Sequence, residues 1–168
     1  LGINDLSGRI VRTPNQLHFE KVALRTEESS LSIDGTIDNI EGGSPTVDLE
    51  ASSDKLDIDE IGRVVPALRG YVMQPAFEMA ARGPAERVAV TLNAREQNLG
   101  AVTGDLTVDA MGPSRRVAGT LRMQHFNVGP VAKSPTLKSD ITGTARVDLA
   151  LPSGRLPLSG TYSIDATS

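Results

Sequence analysis

The stretch Val102-Thr103-Gly104-Asp105-Leu106-Thr107-Val108-Asp109 alternates apolar and polar residues and carries a glycine on its apolar side. Alternation with a period of two places successive side chains on opposite faces of a β-strand. The stretch therefore predicts a strand with its aliphatic side chains and its glycine on one face, and its threonines and aspartates on the other.

Glycine-bearing alternations recur along the chain, at 32–38, 117–123, 141–149 and 158–165, with a shorter version at 6–10. A glycine inside a strand weakens it and usually marks a bend, a bulge or the close approach of another group. The repeated placement predicts a sheet that curls strongly and leaves a shallow lane between aliphatic side chains. The glycines concerned are Gly35, Gly104, Gly119, Gly143 and Gly160.

Turn signals separate these stretches at intervals typical of an all-β meander. The connections are of hairpin length, so neighbouring strands are expected to be antiparallel. The predicted fold class is all-β, a long antiparallel sheet curled into a taco-like apolar groove. The strands are predicted near 6–13, 17–25, 30–38, 46–52, 70–82, 87–95, 99–110, 116–126, 138–151 and 156–166.

One segment, 56–70, departs from the strand pattern, because its apolar residues fall at 58, 61, 65 and 68. This spacing predicts one short helix near 57–65. Asp57, Asp59 and Glu60 lie where the N-terminus of a helix favours acidic residues, and Pro66 is expected to end the helix.

A second departure, 126–137, aligns with the first at an offset of 70 residues, with Phe126-Asn127-Val128 on Leu56-Asp57-Ile58. The match indicates a degenerate internal repeat of strands plus a short helical excursion. The chain opens on Leu1-Gly2 without an initiator Met, so we interpret residues 1–168 as one β-groove segment of a larger repetitive protein.

Composition argues against several classes of partner and cofactor. The net charge is −4, and no cluster of basic residues exceeds the pair Arg115-Arg116, so nucleic acid is not an expected partner. The absence of cysteine excludes thiolate metal sites, disulfides and cysteine nucleophiles.

Catalytic motifs are scarce, and we expect neither enzymatic activity nor a cofactor. The two histidines, His18 and His125, do not have the spacing of a zinc site. The acidic run from Asp54 to Glu60 lacks the glycine and the closing glutamate of a calcium-binding EF-hand loop, so helix capping explains it better. His18 is expected to be a solvated residue on the polar side of its strand.

The apolar side of the predicted sheet is the candidate site. It could be the inside of an ordinary β-sandwich, but the regularly placed glycines favour an open trough for acyl chains. The predicted groove residues are Leu31, Ile33, Gly35, Ile37, Val90, Leu92, Gly104, Leu106, Val108, Gly119, Leu121, Met123, Gly143, Val147, Leu149, Gly160, Tyr162 and Ile164.

The glycine-bearing alternation, joined to the Leu-Asp-Ile and Phe-Asn-Val excursions, resembles the AsmA-like family of bacterial envelope proteins, and within it the TamB (translocation and assembly module) type. The resemblance implies a periplasmic protein anchored in the inner membrane, with a β-groove that carries phospholipid between the inner and outer membranes. It also implies support of outer-membrane protein assembly, with a TamA-like barrel protein of the outer membrane as a partner.

Two other functions stay open. One is a non-catalytic β-sandwich that binds carbohydrate or protein, as in an adhesin, although the chain has no Trp and two Tyr for stacking on sugars. The other is a structural β-solenoid, which would need a tighter repeat. If the chain is a slice of a continuous sheet, its edge strands near 6–13 or 156–166 are expected to support self-association.

Overall fold

The computed structural model describes residues 2–63, 66–112, 114–134, 136–152 and 159–167. These residues form one antiparallel sheet of ten strands, each paired with its neighbours in the chain. The predicted all-β class is confirmed. The strands are β1 Ile3–Arg12, β2 Gln16–Thr26, β3 Ser30–Asp38, β4 Thr46–Ser53, β5 Ala76–Pro84, β6 Val88–Glu96, β7 Gly100–Asp109, β8 Ser114–Phe126, β9 Ile141–Pro152 and β10 Ser159–Thr167.

At one end of the sheet, hydrogen bonds join neighbouring turns to one another. The backbone N–H of Ile40 donates to the carbonyl of Asn15 (3.2 Å), that of Ala85 to Pro45 (2.7 Å), and that of Ala110 to Ala85 (2.8 Å). These bonds satisfy N–H and carbonyl groups of the turns that take no part in the hydrogen bonding between strands. We call this side of the sheet the turn end.

The opposite end carries two helical excursions, the first at 54–75 between β4 and β5, and the second at 127–140 between β8 and β9. The first contains α1 (Ile58–Gly62) and a 3₁₀ turn (Pro66–Leu68), and the second contains α2 (Val128–Val131). We call this side the excursion end.

Side-chain caps start both helices. Asp57 accepts a hydrogen bond from the N–H of Glu60 (2.8 Å), and Asn127 accepts one from the N–H of Gly129 (3.1 Å). The helix near 57–65 is thus present over 58–62, whereas residues 64 and 65 lie outside the described ranges. The prediction of only one helix was wrong, because Pro130 fits the first turn of α2, where its missing N–H costs nothing.

The strand predicted at 70–82 starts later, at Ala76. The preceding residues run beside the approach to α1 instead, where Leu56 donates to the carbonyl of Pro75 (3.0 Å) and Ile58 to that of Met73 (3.0 Å). Their backbone groups are used in this local pairing, so they cannot extend the ladder. Residues 156–158, the predicted start of the last strand, lie outside the described ranges.

The sheet has no second layer in the described part of the chain, and it is neither closed nor strongly curled. Only Ala85, Val88 and Ala145 are buried apolar residues there. The chain exposes 10862 Å², about a third more than the roughly 8,000 Å² that size scaling gives for a globular 17.8 kDa monomer. None of the described helices has the length and hydropathy needed to span a membrane.

Candidate functional site

Strand register assembles a continuous apolar face from all ten strands. One row of paired residues crosses the whole sheet and passes through two of the predicted glycines. It runs Ile10, Phe19, Gly35, Leu49, Ala81, Val90, Leu106, Gly119, Val147 and Tyr162. We call the face that carries this row the apolar face, and the opposite one the polar face.

A neighbouring row on the apolar face joins eight strands, from Ile33 through Ala51, Met79, Leu92, Gly104, Leu121 and Ala145 to Ile164. The other predicted groove residues lie on the same face by strand alternation. They are Leu31 and Ile37 on β3, Val108 on β7, Met123 on β8, and Gly143 and Leu149 on β9.

On β10 the backbone places three predicted residues in register with β9. Gly160 lies opposite Leu149, Tyr162 opposite Val147, and Ile164 opposite Ala145. Their side chains lie outside the part of the chain that the structure describes, as does that of Leu151 on β9, so the side chains of the apolar face are described from β1 to residue 150.

The prediction missed the contribution of β1, β2, β4 and β5; Ile10 on β1 and Phe19 on β2 belong to the row that crosses the whole sheet. Val47, Leu49 and Ala51 on β4, and Phe77 and Met79 on β5, belong to the apolar face through their register with β3 and β6. Both strands alternate apolar and polar residues but have no glycine in the middle of the strand. The alternation itself was the available signal, as it was on β6, which also has no glycine and was included in the prediction.

At three of these glycines, which we call glycine notches, neighbouring strands or side chains occupy the space that a Cβ would take. A Cβ on Gly104 would lie 2.9 Å from Leu121 Cδ2 and 3.6 Å from Leu92 Cβ. A Cβ on Gly119 would collide with the carbonyl oxygen of Asp105, and one on Gly35 with that of Asp48. Gly119 and Gly35 also have φ of +153° and +124°, which disfavours other residues. The sequence-based expectation of close approach is therefore correct for these glycines.

Many side chains of the apolar face between β3 and β9 are half-buried although the described residues provide no covering layer. On β6 and β7, for example, Val90, Leu92, Leu106 and Val108 have intermediate exposure, whereas Thr91 between the first two is exposed. This burial arises within one layer, where aliphatic side chains pack across strands and over the notches. The result is a wide apolar surface still accessible from one side.

The polar face is held by ion pairs that cross from strand to strand. Arg82 Nε lies 3.0 Å from Asp48 Oδ1, and Arg122 Nη1 lies 2.8 Å from Asp105 Oδ2. Arg116 pairs with Asp148, and the hydrogen bond from this guanidinium lowers the pKa of the Asp148 carboxyl. These side chains are about 60% exposed or more, except Asp148 at 39%, so each pair stabilises the sheet only slightly.

A cavity of about 890 Å³ also lies over the polar face. It is bordered by charged and hydroxyl side chains, among them Glu50, Glu78, Thr91, Asp105 and Arg122. Charged walls that keep their hydration make poor surroundings for an acyl chain. Its lining also includes Ile33, Leu92 and Gly104, three predicted groove residues that alternate along the strands with these polar side chains.

The described residues contain few clusters of side chains that could act in catalysis or bind a metal. His125 Nδ1 lies 2.9 Å from Asp140 Oδ1, and both side chains are more than two-thirds exposed. His18 is on β2, paired with Val11 and Thr36, and is half-buried. No group of His, Asp and Glu in these ranges has the geometry of a metal site.

In comparisons with known proteins, no family model, curated protein or solved structure matches this chain.

Proposed function

We propose that this sheet is a non-catalytic lipid-binding module whose apolar face shields the acyl chains of phospholipids during transfer between the inner and outer membranes of a bacterial envelope. The observation that carries the proposal is an apolar face that spans the sheet and has no covering layer in the described residues. Contiguous apolar surface of this extent on a soluble domain marks a binding surface.

The dimensions of the apolar face suit an acyl chain. Nine inter-strand spacings give the sheet a length of about 43 Å. From Val102 to Val108, the apolar stripe on β7 is about 20 Å wide along the strand. One leaflet of hydrocarbon is about 15 Å deep. An acyl chain lying along the strands would fit within this width.

We also propose that the sheet bends around bound chains into a taco-like groove. The close approach of neighbouring strands and side chains at Gly35, Gly104 and Gly119 supports such a bend, because a larger residue there would force the strands apart. The periplasmic location, the inner-membrane anchor, the support of outer-membrane protein assembly and the TamA-like partner rest on the family resemblance alone. The alternative, a binding sandwich, receives less support because the described residues form one sheet and not two.

Photo-crosslinking tests the proposal. A crosslinking residue placed at Leu92 or Leu106 faces the apolar side, and the same residue at the adjacent Thr91 or Thr107 faces the polar side. In the envelope of living cells we expect phospholipid adducts at the first pair only. Equal labelling of both faces, or no labelling of either by a folded protein, would overturn the lipid assignment and favour the binding sandwich.

A further inference from the structure

The two helical excursions meet at the excursion end of the sheet through Lys133. Its Nζ donates a hydrogen bond to the carbonyl of Arg69 (2.7 Å) and lies 3.9 Å from the centre of the Tyr71 ring. An ammonium group has three N–H bonds, and the Arg69 carbonyl takes one. This contact holds a positive charge between segments 64 residues apart in sequence.

A notch of about 380 Å³ opens beside this contact, which we call the lysine notch. Val72 and Leu137 line it and are exposed to 91% and 45%. Lys133 and Lys138 line it as well, and none of the described residues around it is acidic. The lysine notch thus combines exposed apolar side chains with two positive charges.

The first excursion provides a contrast within the same end of the sheet. A second notch there, of about 280 Å³, is lined by five acidic residues and one arginine. Val72 borders both notches. An anionic group would be repelled from the acidic notch and attracted to the lysine notch. The acidic residues are Glu27, Glu28, Asp57, Asp59 and Glu60.

The second excursion, which supplies most residues of the lysine notch, connects β8 and β9 of the apolar face. Phe126 ends β8 and Ile141 begins β9, and the two residues pair with each other. Met123 and Gly143 follow on the same two strands. An acyl chain lying along β8 and β9 would therefore have one end at the excursion that carries Lys133 and Lys138.

On the basis of the proposed function, we propose that the lysine notch binds the phosphate group of a phospholipid whose acyl chains lie on the apolar face. Ammonium groups are good point-charge partners for phosphate. The apolar side chains of Val72 and Leu137 would contact the glycerol and the first methylenes of the chains. Phospholipids would then sit with their heads at the excursion end and their tails directed toward the turn end.

The test compares two lipids with the same acyl chains, one with a phosphate and one without. The 168-residue protein is incubated with vesicles of phosphatidylglycerol, or with vesicles of a neutral carrier lipid that contain diacylglycerol. The lipid that remains bound to the recovered protein is then quantified by mass spectrometry. Lys138→Glu is expected to lower phosphatidylglycerol recovery about tenfold, and to leave diacylglycerol recovery unchanged.

Matched variants control for charge and folding. Arg87→Glu makes the same change of net charge at the turn end, where Arg87 is exposed, and is expected to leave both recoveries unchanged. Lys133→Gln keeps a donor for the Arg69 carbonyl while removing the charge, and is expected to act like Lys138→Glu. Circular dichroism verifies that each variant is folded. Inorganic phosphate added alone is expected not to displace the phospholipid.

The outcomes separate the two proposals. If the wild-type protein recovers neither lipid, the acyl-chain function itself fails. If it recovers both, and the lysine variants change neither or change both equally, the lysine notch is not a headgroup site and the apolar groove stands. Displacement of phosphatidylglycerol by millimolar inorganic phosphate would assign the notch to a free anion and overturn the headgroup proposal.

Discussion

The two faces of this sheet share the same backbone yet are built in different ways. On the apolar face, aliphatic side chains pack across strands, and Val88 is only 7% exposed although the described residues form no covering layer. On the polar face, long charged side chains such as Arg82 and Asp48 pair across strands while 59% and 66% exposed. The difference indicates that shape fit on one face supplies stability, and that the other face supplies solubility and register.

The largest expected effect on the free energy of unfolding comes from a charged substitution on the apolar face. The same substitution at the adjacent residue, which lies on the polar face, serves as its comparison. Val88→Asp puts a carboxylate at a buried position opposite Val108 and should lower the free energy of unfolding by about 3 kcal/mol or more. Ala89→Asp lies on the exposed face and should cost under about 1 kcal/mol. Urea denaturation measures both. Equal losses would show that the two faces do not differ in burial.

A notch substitution should have the next largest effect. Gly119→Ala forces a Cβ against the carbonyl oxygen of Asp105 at a φ that disfavours alanine, so we expect a loss of about 2–3 kcal/mol. Gly2→Ala, where open space surrounds the added methyl group, should leave stability unchanged. A thermal unfolding temperature equal to wild type for Gly119→Ala would contradict the notch argument.

Edge strand β1 extends the apolar face to an unpaired rim among the described strands, where Leu6 and Ile10 are 64% and 59% exposed. Exposed edges recruit further strands, so the protein should self-associate as its concentration rises. Ile10→Lys should weaken this association about tenfold, because a charged edge opposes strand pairing. Sedimentation velocity over a concentration series measures it. A wild-type protein that is strictly monomeric at high concentration would be the contrary result.

On the polar face, single substitutions should have small effects. Arg82→Ala removes contacts to both Asp48 and Glu50, and should cost less than about 1 kcal/mol. Because the pairs are exposed, the loss should shrink further in 1 M salt. Thermal unfolding at low and high salt checks this prediction. A loss as large as that of Val88→Asp would mean that the polar face carries the stability.

The smallest expected effect is a pH dependence from Asp148. The hydrogen bond from Arg116 lowers the pKa of this carboxyl in the folded state. The pair therefore stabilises the fold at pH values above the ordinary carboxyl pKa, and this contribution disappears as the pH falls through the folded-state value. Asp148→Asn should reduce the difference in unfolding temperature between pH 7 and pH 3. An unchanged difference would show that protonation of Asp148 does not affect the stability of the fold.

Much of the fold follows from local patterns. Alternation around Gly104 and Gly119 predicts strands with the observed facing, and the acidic run at Asp57 predicts the capped helix α1. The candidate face was identified on β3 and on β6 to β10, where alternation and aliphatic residues coincide. It was missed on β1, β2, β4 and β5, because which strands contribute to one continuous face depends on register with their neighbours.

The sequence by itself determined which side chains share a face of each strand, because the period of two is a property of the extended backbone. It also determined where a glycine is required, although not against which neighbour. Only the tertiary structure decided the register that joins side chains of ten strands into continuous rows, and that Leu121 projects over Gly104. It also brought Lys133 to Arg69, since contacts between residues far apart in sequence depend on register, which no local pattern specifies.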